Sequence, residues 1–216
     1  LKVEGRHIDM LGDYTSEGPG GGSHPDGGKF WAEASKSFSL GSDAAIEVNG
    51  RASGAGGTIK VRVLNRDGED EDVDASEPSG IWIDGAISAT SLGSGSGGAI
   101  SFSSATGVDI NGTIHLMREG AGSDGGKAKI LSVGNITLGE DSEIRTGADG
   151  LFLQTREDRS QITLAGNLVQ EAETNITIDS CSLDFQSPTI NVSEGLLQMI
   201  VRGSSPAMTG DEVSIT

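Results

Sequence analysis

The sequence predicts an all-β fold, a right-handed parallel β-helix (β-solenoid) of about six to seven coils. Two observations carry this. Glycine supplies 34 of the 216 residues, more than twice the average usage of about 7%. Paired glycines and short alternating apolar runs also recur at near-regular intervals, the signature of stacked repeats. Each glycine inside a helix costs on the order of 1 kcal/mol, which excludes an ordinary helical domain. Only 5 prolines and no strict three-residue period exclude collagen.

The paired glycines come first in each repeat. Gly27-Gly28 precedes KFWAEA, Gly56-Gly57 precedes TIKVRV, Gly97-Gly98 precedes AISFSS and Gly125-Gly126 precedes KAKILS. The first and last of these intervals are nearly equal, and the longer middle one holds an insertion. A second motif follows, apolar-x-apolar and then a small or polar residue. It starts at Ile46, Ile81, Val108, Ile136, Ile162, Ile176 and Ile190. The last two intervals are half a period, as if both strands of the final turns were alike. Strand alternation places Ile46 and Val48 inside and Glu47 outside. Glycine then allows a sharp corner at positive φ. Coils stacked about 4.8 Å apart give a rod of roughly 30 Å. The run LFLQTR after Gly150 alternates one residue out of step, which predicts a bulge or shifted corner. A compact β-sandwich is the structural alternative, but it does not require glycine pairs at near-constant spacing.

The expected organisation is a partial coil and glycine-rich loop over 1–26, a solenoid over 27–195 with an acidic insertion at 65–80, and a terminal strand and tail over 196–216. The opening LKVEGRHI, with Leu1 and Val3, matches the second motif, so the chain is expected to start halfway through a coil. DEVSIT alternates Val213 and Ile215 as a terminal strand. Open solenoid ends are templates for further stacking, so these four residues mark candidate assembly ends that join one copy to the next. A start at Leu1 without a signal peptide suggests a processed chain or a part of a longer one.

The short I-x-V-x-G strands and corners such as SLGSGSGG and REGAGSDGG resemble the right-handed β-helix passengers of the filamentous-haemagglutinin and adhesin type. The resemblance covers most of residues 27 to 195. It implies a secreted or cell-surface structural protein without catalysis. The secretion-domain signature of that family's N-terminus is missing.

Charge narrows the partners. A net charge of -17 repels nucleic acid and anionic membranes. No apolar run is long enough to span a bilayer. Cys181 is the single cysteine, which rules out an internal disulfide; it reads as a small buried residue. The insertion NRDGEDEDVDASEPSG gathers Asp67, Glu69, Asp70, Glu71, Asp72, Asp74 and Glu77. Such dense carboxylates suit calcium, a hard cation wanting six to eight oxygens, although the spacing is not that of an EF-hand; a solvated acidic loop is the alternative. Asn111, Asn135, Asn175 and Asn191 each sit in an N-x-S/T sequon on an outward position, making them candidate glycosylation sites of a glycoprotein.

An enzyme is not expected. The three histidines form no ligand-spaced pair, and no nucleophile elbow or phosphate loop occurs. The alternative reading is a carbohydrate-binding or polysaccharide-cleaving β-helix acting on cell-surface or matrix polysaccharide. Eight aromatics give no clear sugar-stacking track, although Trp31 and Trp82 are expected to face outward. Thr137, Thr163 and Thr177 are expected to share one outward column with Glu47, Trp82 and Asp109, too mixed for an ice-binding array. The favoured reading is a self-assembling structural subunit of an extracellular filament, sheath or adhesin stalk.

Overall fold

In a computed structural model, residues 1–17, 26–51, 53–65, 79–117, 125–170, 175–192, 195–202, 207–210 and 213–215 are described. They form parallel strands stacked level upon level. The first level is β1 (Lys2–Met10) and β2 (Tyr14–Thr15), the second β3 (Lys29–Leu40) and β4 (Ala45–Glu47). The third is β5 (Thr58–Val63), β6 (Gly80–Ile83) and β7 (Ala86–Ser88), and the fourth β8 (Gly97–Ser104), β9 (Val108–Ile110) and β10 (Thr113–His115). Then come β11 (Gly125–Ser132), β12 (Ile136–Leu138) and β13 (Glu143–Thr146), followed by β14 (Leu151–Thr155), β15 (Gln161–Leu164) and β16 (Asn167–Gln170). The last two levels are β17 (Asn175–Ser180), β18 (Ser182–Phe185) and β19 (Thr189–Val192), then β20 (Leu196–Val201), β21 (Ala207–Gly210) and β22 (Ser214–Ile215).

Each level therefore has three arms. Arm A runs through β5, β8, β11, β14, β17 and β20; arm B through β6, β9, β12, β15, β18 and β21. In the first two levels one long strand, β1 or β3, serves both arms, and this joins them into a 14-stranded sheet. Arm C is a separate sheet of eight strands from β2 to β22, against the six to seven coils expected. Every pairing among these strands is parallel, and non-consecutive strands pair because each turn returns the chain to its starting arm. All-β architecture and parallel stacking are as the repeat implied.

One core fills the space between the sheets. Its inner columns are in-register ladders. Arm A stacks Phe30, Ile59, Ile100, Ala128, Leu151, Ile176 and Leu197. Arm B stacks Ile8, Phe38, Ile81, Val108, Ile136, Ile162, Leu183 and Met208. Arm C stacks Tyr14, Ile46, Ile87, Ile114, Ile144, Leu168, Ile190 and Ile215. β-branched side chains suit this pleated surface, and full burial of each contributes about 1.5–3 kcal/mol.

Where arm A turns into arm B the core becomes polar. Ser104, Ser132 and Thr155 pair in register and are buried, and Thr155 Oγ1 lies 2.7 Å from Ser180 Oγ. Ser132 Oγ donates to the Thr106 carbonyl at 3.2 Å, and Ser180 Oγ to the Ser160 carbonyl at 3.3 Å. These hydroxyls donate to corner carbonyls that lie outside the strands.

The glycine pairs sit where arm C turns into arm A. They are needed first for room. A Cβ on Gly57 would press into the Gly28 carbonyl oxygen, and Gly57 N–H donates to the Val48 carbonyl at 2.6 Å. Positive φ, expected at glycine corners, occurs among these pairs only at Gly125 (78°) and Gly126 (89°).

Four expectations need correction. The second motif is not one strand type: Ile81, Val108, Ile136 and Ile162 lie in arm B, Ile46 and Ile190 in arm C, and Ile176 in arm A. Thr177 and Glu47 consequently stand outside the Thr137–Thr163 column. LFLQTR holds no bulge, since Leu151 pairs in register with Ala128 below and Ile176 above. The change is at the corner, as the other half of that expectation had it: a single glycine at positive φ, Gly150 (79°), replaces the outward residue that follows the earlier pairs. The irregularity lies instead between Gly5 and His7 in β1, and that strand starts at the beginning of arm A rather than halfway through a coil. Cys181 is only partly buried, at the bend between β17 and β18.

Candidate functional site

Parallel stacking leaves two kinds of surface able to engage a partner: the last level at each end, and the outer columns of the arms. At one end β20, β21 and β22 each pair with a single strand among the described residues, β17, β18 and β19. Their opposite edge carries backbone N–H and C=O groups without a ladder partner. The inner columns continue into this level with Leu197, Met199, Met208 and Ile215. Met208 is 56% and Ile215 58% exposed, whereas the same columns are buried from the second level to the seventh. A cavity of about 340 Å³ opens there, lined by Phe185, Met199, Met208, Val213 and Ile215.

At the other end β1 pairs only with β3, and β2 only with β4, among the described residues. Val3, Met10 and Tyr14 are partly buried and pack on the core, while Leu1 is exposed. The Leu1 ammonium donates to the Lys29 carbonyl at 2.7 Å and tethers the strand to the next level. Tyr14 stacks tilted on Phe30 with centroids 5.3 Å apart. The four candidate assembly residues thus divide between the two ends, Leu1 and Val3 at one, Val213 and Ile215 at the other.

The other sequence candidates are dispersed. Asp67, Glu69, Asp70, Glu71, Asp72, Asp74 and Glu77 lie outside the described residues. The roots of that insertion are placed: Ser79 Oγ donates to the Lys36 carbonyl at 3.2 Å, and the Lys36 ammonium donates to Asn65 Oδ1 at 3.5 Å. Among the described residues no group of three or more His, Cys, Asp or Glu side chains could hold a metal. Asn111, Asn135, Asn175 and Asn191 are all exposed. Asn135 and Asn175 use their carbonyl oxygens to accept the backbone N–H of Gln161 (2.9 Å) and Leu196 (3.3 Å) in the next level. Asn111 instead spends its amide nitrogen on Asp84 Oδ1 at 2.9 Å, the atom a glycan would need.

One polar cluster was not visible in the sequence. On the outer face of arm C, Glu143 accepts from Arg145 Nε at 2.7 Å and lies 3.0 Å from His115 Nε2 one level away. Arg145 first, then His115, holds the Glu143 carboxyl below the usual carboxylate range, against the opposing effect of burial. The cluster lies on the outer face of arm C, with His115 and Arg145 both partly exposed.

Among the described residues no helix is long and apolar enough to cross a membrane. Comparison with known proteins finds no matching family model, no matching curated protein and no matching solved structure.

Proposed function

We propose that the chain is a structural segment of an extracellular fibre, sheath or adhesin stalk, a right-handed β-helix whose end levels stack on those of neighbouring copies. The observation that carries this reading is the apolar, one-sided level formed by β20, β21 and β22. Its three arms match in kind the arms of the β1–β2 level, where Val3 stands in the arm A inner column, Ile8 and Met10 in arm B and Tyr14 in arm C. A parallel junction of the two would extend each ladder by one rung and cover Met208 and Ile215. Calcium held by the 67–77 carboxylates would offset repulsion between subunits of net charge -17. Glycans on Asn135 or Asn191, both exposed on outward positions, would project sideways from the rod.

Sedimentation velocity over a range of protein concentrations tests this. The expected result is a mass that rises in multiples of 22.1 kDa, reversed by Met208→Asp or Ile215→Asp. A chain that stays at one copy at every concentration, with and without calcium, overturns it.

A further inference from the structure

Five of the six lysines of this acidic chain, Lys2, Lys29, Lys60, Lys127 and Lys129, project from the outer face of arm A. One outer column reads Lys2, Trp31, Lys60, Ser101, Lys129, Phe152, Thr177 and Gln198, in register over eight levels. Lys2 and Lys60 place their ammonium groups 4.9 and 5.3 Å from the centre of the Trp31 ring, and Lys129 lies 6.0 Å from that of Phe152. Lys2 also pairs with Glu4 at 2.5 Å. Among the described residues Lys29, Lys60, Lys127 and Lys129 form no ion pair. The aromatic rings hold the charges in place without neutralising them, a contact that costs little to keep exposed. Among the described residues the carboxylates on this face are Glu4, Glu33 and Asp179, each engaged with Lys2, Arg62 or Arg202, and Asp149 at its margin. Beside Phe152 lies an open groove of about 380 Å³, with Lys127, Lys129, Asp149, Asn175 and Thr177 around the ring.

We infer that this strip is a binding surface for a linear acidic polysaccharide lying along the rod axis. Three features select that partner. Lys2, Lys60 and Lys129 recur at alternate levels, roughly 10 Å apart, so the charge pattern is a straight line that suits an extended polymer. The groove combines an aromatic wall with amide, hydroxyl and ammonium groups, the mixture that a pyranose ring bearing carboxylate or sulfate satisfies. The strip is narrow on a chain of net charge -17, so a nucleic-acid duplex, with phosphates around its whole girth, would meet repulsion beside it. The inference does not depend on end-to-end stacking.

Binding of polygalacturonate and of chondroitin sulfate to the full chain, measured by titration calorimetry at low and moderate salt, tests it. At least one of the two binds, weakening as salt rises, and Lys60→Gln with Lys129→Gln weakens it tenfold or more. Arg156→Gln, off the strip, leaves it unchanged, and thermal melts confirm that all variants stay folded. The inference is overturned if neither glycan binds, if the lysine variant binds as well as the parent, or if polyglutamate or single-stranded DNA binds more tightly than both glycans. Sedimentation of the same lysine variant separates this surface from the stacking ends, because its mass distribution stays that of the parent.

Discussion

Arms A and B share one architecture inside and differ outside. Inside, both stack Ile, Val, Leu and Phe in register. Outside, arm A carries Lys2, Trp31, Lys60 and Lys129, whereas the matching column of arm B carries Asp9, Ser39, Trp82, Asp109, Thr137, Thr163, Asp184 and Thr209. Two of the three carboxylates in the arm B column are met within it: Ser39 donates to Asp9 at 2.6 Å and Thr209 to Asp184 at 3.0 Å. Arm A leaves most of its lysines without carboxylates. The inner columns therefore set the fold and the outer ones are free to set a partner, which is the use a solenoid makes of its repeat.

Core truncation should be the largest effect and should ignore the distinction. Phe102→Ala in arm A and Phe38→Ala in arm B, both fully buried, should each cost about 3–5 kcal/mol in denaturant unfolding. A large inequality between them would break the claim of a common core. Next comes the arm C to arm A corner. Gly57→Ala forces a Cβ against backbone and should cost roughly 2 kcal/mol or more, whereas Gly12→Ala, with open space around it, should stay within about 0.5 kcal/mol.

Surface changes come last and sharpen the contrast. Lys60→Gln removes an aromatic contact and should cost about 0.5–1 kcal/mol at most; Thr163→Gln in arm B should be neutral within about 0.5 kcal/mol. A further surface effect is pH-dependent. Glu143 has a lowered folded pKa, so its contribution is present above the ordinary carboxylate range and lost as pH falls through the folded value. Being on an open face, it should be worth under about 1 kcal/mol. Melts of Glu143→Gln and parent should differ slightly near neutrality and converge in strong acid.

The parallel solenoid was legible because inner positions obey period 2 and glycine pairs mark one corner. What the sequence hid has a common cause: three arms of similar composition look like one motif. Ile162, Ile176 and Ile190 read as repeats of a single strand, yet they occupy arms B, A and C in turn. The coil also shortens along the rod. The stretch from Phe30 to its partner Ile59 is longer than the one from Ile176 to its partner Leu197, so no fixed period aligns both ends. The lysine–aromatic column was hidden for the same reason, since its members are separated by whole coils of unequal length and only the register brings them together. Apolar end residues were legible as terminal alternation around Val3 and Ile215. The Glu143 cluster was not, because His115 reaches it only across a level.

The central claim is that levels continue across the junction between copies. Electron microscopy of the concentrated chain, with diffraction along any filament axis, tests it most directly. The account predicts filaments with a layer spacing of about 4.8 Å along the axis and a longer repeat of roughly eight such layers, lost in Ile215→Asp. Filaments whose strands run parallel to the axis, or separate single particles under every condition, would contradict it.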